Sequence, residues 1–534
     1  MSLIDIALEA AGSDSSLLRR TISKIAVDKL ASSTSPRPLP FSLWSPVPKP
    51  ADPATQGPVC DYTSWPGLTD RTFSSRHLPP CSQADIDALA SNGGCDPSAG
   101  AIGPFTALFK RPDTGMKKDR SSVLFSYFAQ WFTDSFLRTA SPDRRRNTSN
   151  HEIDLCQIYG LEEETTRQLR ALQGGLLASQ QVDGQEYPDA LYELDAHGKL
   201  APKARYAALP YVLNGQLDWI LAQQGVPAER KARLYATGLE RGNSAIGYVT
   251  MSTVFLREHN RLCRGLQAAN PGWDDERLFQ TARMINIVQL LRIVIEDYIN
   301  HIAGHKLFVF DNSFGEGQPW YRTNWMAIEF DLLYRWHGLV PETVNVGGVP
   351  FGPKDFQTNN ALLESLGLAA FLDGAGREQA GKICLFNTPV FLLGAECQSV
   401  KMGRDFRLQG FNAYRRAFGL HPVTSWEGLT RDGATRAALA AVYKDVDQLE
   451  LVVGLLAEDA SEGALFGTLM NTMVASDAFT QALTNPLLSK NVFNARTFTD
   501  YGLAQIAATP SLQSLVNRNV AGGADIRATF DFHA

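Results

Sequence analysis

From Val123 onward the apolar residues recur at helical spacing, interrupted at 185–212, 311–322 and 340–360 by stretches rich in glycine and proline. A stripe of that period buries itself only against other stripes, so a run of such helices packs into one body. Neither an internal repeat nor a long low-complexity tract interrupts it. The expected fold is mainly α: a single large helical domain over 56–534, preceded at 1–55 by an N-terminal amphipathic helix and an extended proline-rich arm. Prolines at 36–40 and 46–53 rule out persistent helix in that arm. With 44% hydrophobic residues the chain has ample material for a large core. A formal net charge of −6 argues against a nucleic-acid partner, which calls for a basic surface.

Residues 1–30 read as one or two short helices. Leu18, Ile22, Ile25 and Ala26 form a stripe flanked by Arg19, Arg20, Lys24 and Lys29. This helix either docks on the domain surface or lies on a membrane. No apolar run approaches the ~20 residues of a bilayer span, and the N-terminus lacks the basic n-region of a secretory signal. The expected location is cytoplasmic, with peripheral membrane contact through 1–30 left open. The seven cysteines are dispersed, without a Cys-x-x-Cys spacing. Cys156 and Cys263 fall inside apolar helical patterns and are expected as buried free thiols. Cys60, Cys81 and Cys95 lie in loop-rich sequence, where pairing among them stays open.

The segment Trp325-Met-Ala-Ile-Glu-Phe-Asp-Leu-Leu-Tyr334-Arg-Trp-His337-Gly-Leu-Val-Pro341 carries the most chemistry. Helical spacing predicts Tyr334 and His337 one turn apart on one face. A neutral imidazole there could ligate a metal or haem iron, and a phenol one turn away could be oxidised by it. Taken alone, a Tyr-x-x-His pair is more often core packing.

The flanking sequence resembles the animal haem peroxidases, specifically the prostaglandin H synthase (cyclooxygenase) branch. The resemblance rests on Leu333 to Thr343 and, in the same order, on several longer motifs. These are Phe128-Ala-Gln130 with Phe132-Thr133, Ile153 to Gly160, Phe255 to Cys263, Glu276 to Arg283, Ile293 to Tyr298, Phe411 to Gly419, Leu465-Phe-Gly467 and Asn485-Pro486. It runs from about Cys60 to about Val520. The disulfide-rich module at the start of animal cyclooxygenases has no counterpart in this sequence.

The resemblance implies haem b, with His337 as the proximal iron ligand. On the distal side the family pairs a glutamine with a histidine four residues later. Gln130 matches the glutamine, but Asp134 stands where the histidine should be. A distal histidine moves the peroxide proton during O–O cleavage. Asp134 could accept that proton, but returning it requires a carboxyl held neutral by burial. Tyr334 matches the tyrosine whose radical abstracts hydrogen from a fatty acid, and Tyr298 matches a second tyrosine that orients it by a hydrogen bond.

At channel positions, Ala478 matches the site acetylated by aspirin, Val474 matches a small glycine, and Asn471 and Ile299 fall at other lining positions. His305 matches a tyrosine at the channel mouth, with Lys306 beside it. The arginine that pairs with the substrate carboxylate falls near Asp28-Lys29. Lys29, His305 and Lys306 are therefore the candidates for carboxylate binding. Valine in place of glycine narrows the channel end, which favours a linear hydroperoxide over an endoperoxide. Arg335 replaces a histidine, and Val452 replaces a tyrosine that reaches the proximal histidine through water.

The implied function is that of a haem-dependent fatty-acid dioxygenase. Its partners are an unsaturated fatty acid, O2 and an activating hydroperoxide, and the resemblance is compatible with a homodimer. One alternative is a peroxidase, peroxygenase or hydroperoxide isomerase working through Asp134. Another is a non-catalytic haem- or lipid-binding relative.

Overall fold

The computed structural model describes residues 16–33, 39–40, 71–90, 94–96 and 102–533. Most of the proline-rich arm and Cys60 lie outside the described residues. Helices dominate the rest, accompanied by five two-stranded antiparallel pairs among the described residues. The fold is the helix-rich single domain that the periodicity predicts.

The centre is the Ile246–Ala269 helix, buried almost all round over its first four turns. It packs against the Val123–Thr133 and Asp275–Ile293 helices. Most of its buried polar side chains find partners, as interior polar groups do, the Thr250 hydroxyl being an exception. Ser252 accepts from the Trp131 indole at 3.0 Å. Glu258 is met by Arg261, Gln289 and Asn519. His259 is held between the Tyr159 hydroxyl, 2.8 Å, and the Gly175 carbonyl, 2.9 Å. The Phe255–Cys263 motif thus lays down a polar network inside the core.

The stretch Asp275–Ala303 is long and apolar enough to cross a membrane by length and composition, but 78% of its apolar window is buried inside the protein. Asp274 caps its start by accepting from the Arg277 amide. A π-helical turn over Val294–Tyr298 interrupts it. Such a turn re-aims the side chains that follow, and here it ends on Tyr298. Gly304 closes the stretch in the left-handed region at φ 75°. A Cβ there would sit 1.7 Å from the Gly463 carbonyl oxygen. Gly304→Ala is therefore expected to cost about 1–3 kcal/mol or more, read as a lower denaturation midpoint.

Hairpins form at two of the predicted loops, one overlapping the start of 185–212 and one inside 340–360. Ser179–Val182 pairs with Gln185–Pro188 across Asp183-Gly184, and Val344–Val346 pairs with Val349–Phe351 across Gly347-Gly348. Both turns have positive φ at both central residues, the geometry that two-residue hairpins need.

The N-terminal helix, Ser16–Ala31, docks on the Thr468–Leu483 helix. Its fully buried positions are Ser23, Val27 and Ala31; of the expected stripe, Ile22 and Ala26 are partly buried against the core, whereas Leu18 and Ile25 are 43% and 65% exposed. Polar anchors set this rotation. The Trp320 indole donates to Asp28 at 3.0 Å, and Lys24 pairs with Asp311 at 2.9 Å.

Cys156 and Cys263 are buried free thiols as expected. Cys95 pairs with Cys397 across 302 residues and Cys81 is a buried free thiol, so the question left open for these two is answered: neither pairs within the loop-rich segment. Tertiary packing brings the loop of Cys95 onto a distant helix, which local sequence does not reveal.

Candidate active site

The Ile328–Leu333 helix ends just before Tyr334. Tyr334, Arg335 and Trp336 leave helical geometry, and His337 opens a short 3-10 turn, His337–Leu339. The single continuous helix expected from sequence is therefore corrected. Two physical causes operate. Pro341 disfavours helix in the residue before it, and Val340 is extended at φ −79°, ψ 120°. The Trp336 ring is drawn out to stack on Tyr334, with centroids 4.3 Å apart, and to lie parallel to Phe125 at 5.8 Å.

His337 is largely buried, and its Nδ1 lies 2.8 Å from the Glu396 carboxylate. Nδ1 as the donor leaves Nε2 as the lone-pair nitrogen, and Nε2 has no hydrogen-bond partner among the described residues. Such an imidazole is ready to ligate an iron. Arg335, by contrast, pairs with Asp331. Val452 is buried on the Leu451–Ala457 helix.

Tyr334 and Tyr298 come together inside an aromatic cluster. Tyr298 packs against Phe125 at 5.2 Å and Phe128 at 5.3 Å, both from the Val123–Thr133 helix. Tyr334 packs against Phe330 at 4.9 Å. Burial pushes both phenols well above their ordinary range, and each acts on the other electrostatically. The hydroxyls are adjacent but outside strict hydrogen-bond geometry, since the Tyr298 oxygen has no partner that meets it.

Gln130 and Asp134 differ in environment. Gln130 is exposed, while Asp134 is 4% exposed at the end of the same helix. The Tyr248 hydroxyl donates to the Asp134 carboxylate at 3.0 Å, and Arg241 approaches it at 3.6 Å. Burial raises the Asp134 carboxyl above the usual carboxylate range, opposed by Arg241, Arg138 and Tyr248.

Among the channel candidates, Ile299, Val474 and Ala478 are all buried. They lie on the Ile299–Ala303 and Thr468–Leu483 helices, which pack on each other. The helix leading to Tyr334 packs on that second helix too. Asn471 is held by donating to the Phe466 carbonyl at 2.8 Å. The candidate cations are more dispersed. Lys29 is exposed on the N-terminal helix, Lys306 is exposed near Asp297, and His305 is half-buried beside Gly463.

Sequence reasoning missed Glu396, Arg241 and Tyr248. Glu396 had a signal: Leu393, Glu396, Cys397 and Val400 share one helical face, all buried, so an acid sits on a core stripe. Arg241 and Tyr248 had none, because their approach to Asp134 is made between elements distant in sequence.

The model for the animal haem peroxidases matches residues 109–363 and 385–530. The chain belongs to that family. It is 31% identical over 469 residues to prostaglandin G/H synthase 2 of Mus musculus, covering 86% of this chain and 73% of that protein. To prostaglandin G/H synthase 1 of Mus musculus it is 32% identical over 473 residues, covering 88% and 74%. Its fold is similar to that of the fatty acid alpha-dioxygenase of Oryza sativa, with TM-score 0.68 at 18% identity, covering 97% of this chain and 92% of the other. The corresponding enzyme of Arabidopsis thaliana gives TM-score 0.67 at 18% identity, covering 86% and 80%. Membership makes the protein a haem-dependent oxidoreductase. With its Nδ1 taken by Glu396 and its Nε2 unpartnered among the described residues, His337 is the side chain that would hold the haem.

Proposed function

We propose that the protein is a fatty-acid dioxygenase that uses haem b, held by His337, and Tyr334 as its hydrogen-abstracting residue. The observation that carries this reading is the placement of Tyr334: partly buried against the core, beside Tyr298, and stacked on the ring that precedes His337. Haem held by His337 would supply a one-electron oxidant. Burial disfavours the phenolate and keeps Tyr334 protonated, so forming its phenoxyl radical sends one electron to that oxidant and the phenolic proton to water. Its phenoxyl radical then takes a hydrogen atom from an activated carbon of an unsaturated fatty acid. O2 adds to the carbon radical, and the peroxyl radical recovers a hydrogen atom from Tyr334 to give a hydroperoxide.

Tyr298 positions the Tyr334 ring by contact. Ile299, Val474 and Ala478 supply an apolar wall for the acyl chain, and His305, Lys306 and Lys29 are candidates for the carboxylate. A structural neighbour, an Oryza sativa fatty acid alpha-dioxygenase, has been solved with palmitic acid, a saturated acid, which supports a fatty acid as ligand and leaves its unsaturation to the assay. Leu17 and Ile25, 78% and 65% exposed on the docked N-terminal helix, favour contact with a lipid surface. Oxygen uptake with product mass spectrometry against C16–C20 fatty acids tests the reading. Absence of uptake with every acid, in haem-loaded protein primed with hydroperoxide, overturns it.

The buried Asp134 favours a second reading, a peroxygenase or hydroperoxide isomerase in which this carboxylate moves the peroxide proton. Asp134 accepts a proton only when ionised, and its ionisation is displaced upward. Reactivity with peroxide is therefore expected to rise with pH above the ordinary carboxylate range. Asp134→Asn keeps the size of the side chain and removes this limb of the profile. A variant profile that overlays the parent removes Asp134 from the chemistry. Stability has the opposite sign: native Asp134 holds its proton longer than the unfolded chain does, so that contribution is present at low pH and fades as pH rises.

A further inference from the structure

The loss of a distal histidine leaves the chain short of one means of activating peroxide, and the opposite side of the site holds an unexpected acid. Glu396 is 1% exposed and lies in the first turn of the Leu393–Asp405 helix, where the peptide dipoles favour a negative charge. Its Oε2 receives the His337 Nδ1 at 2.8 Å and the Thr388 hydroxyl at 2.9 Å. Its Oε1 is buried without a hydrogen-bond partner. The next residue, Cys397, is tied by its disulfide to Cys95, which fixes this turn of helix to a distant loop. Val452, which replaces a tyrosine in the family pattern, is aliphatic and cannot accept a proton.

We propose that Glu396 is a positioning residue for the iron ligand: it fixes the tautomer and orientation of His337 and lends the imidazole anionic character. This rests on the reading of His337 as the haem ligand. In a low-dielectric interior, an acceptor with one unmet oxygen draws strongly on the N–H it does have. An imidazole so polarised is a stronger donor through Nε2. A stronger axial donor lowers the reduction potential of the iron and favours its higher oxidation states. The chain thereby gains from the ligand side part of what it lacks opposite.

The test uses the haem-loaded protein and two readouts that do not depend on turnover: the iron–histidine stretching band of the ferrous form by resonance Raman, and the ferric/ferrous potential by spectroelectrochemistry. Glu396→Gln retains an acceptor for Thr388 but carries no charge. It is expected to shift the band to lower frequency and the potential to more positive values, while Glu396→Asp moves both less. A band that disappears in His337→Gly but is unmoved by Glu396→Gln, with unchanged potential, overturns the proposal alone. A band that survives His337→Gly removes the ligand assignment, and the proposal with it. Should Glu396→Gln fail to fold, Glu396→Asp decides, because parent values for both readouts in that variant also overturn the proposal.

Discussion

Tyr334→Phe protein is expected to take up haem like the parent and to consume no oxygen with any fatty acid that the parent oxygenates. The substitution deletes one hydroxyl and keeps the ring stacked on Trp336 and packed on Phe330. No side-chain donor or acceptor is stranded by it, because no hydrogen bond of good geometry joins Tyr334 to Tyr298. The stability change should stay within about 1 kcal/mol, so loss of oxygenation cannot be blamed on unfolding. Tyr298→Phe leaves the abstracting phenol in place and only alters its neighbour, so it should slow oxygen uptake without abolishing it. Full uptake by Tyr334→Phe would overturn the radical role and move the chemistry to the iron and Asp134.

His337→Ala should lose the Soret band of bound haem. Alanine offers no lone pair, and apolar contact alone holds haem poorly. The structure adds a consequence for the protein without haem. Removing the imidazole leaves Glu396 buried with Thr388 as its one remaining hydrogen-bond partner among the described residues. An uncompensated buried carboxylate costs about 1–3 kcal/mol or more, so the single variant should unfold at lower denaturant. The double variant His337→Ala/Glu396→Gln should recover part of that loss while still lacking the Soret band. Equal midpoints for the single and double variants would show that the carboxylate is compensated in some other way, and a retained Soret band would name a different ligand.

Much of this architecture was legible because helical burial writes a periodic signature into the chain. The mainly α domain, the buried thiols of Cys156 and Cys263, and the family itself all followed from patterns local to single segments. The Tyr334 and His337 pair was legible as residues but not as geometry. Sequence spacing predicted one helix, whereas Pro341 and the stacking of Trp336 split it into a helix end and a separate turn. The N-terminal helix was legible as a helix, yet only Ile22 and Ala26 of its expected stripe pack on the core. Asp311 and Trp320 select the rotation, and both lie almost three hundred residues away.

What the sequence by itself determined is the set of chemical groups: an imidazole, two phenols, a carboxylate where the family pattern has a histidine, and the helices that carry them. Tertiary structure alone decided how those groups are tuned. Glu396 reaches His337 across 59 residues, Tyr248 reaches Asp134 across 114, and Cys397 meets Cys95 across 302. Periodicity reports which face of an element is buried, but not which other element covers it. Hydrogen bonds and charge pairs act over a few ångströms, so their partners are settled only when the helices have packed.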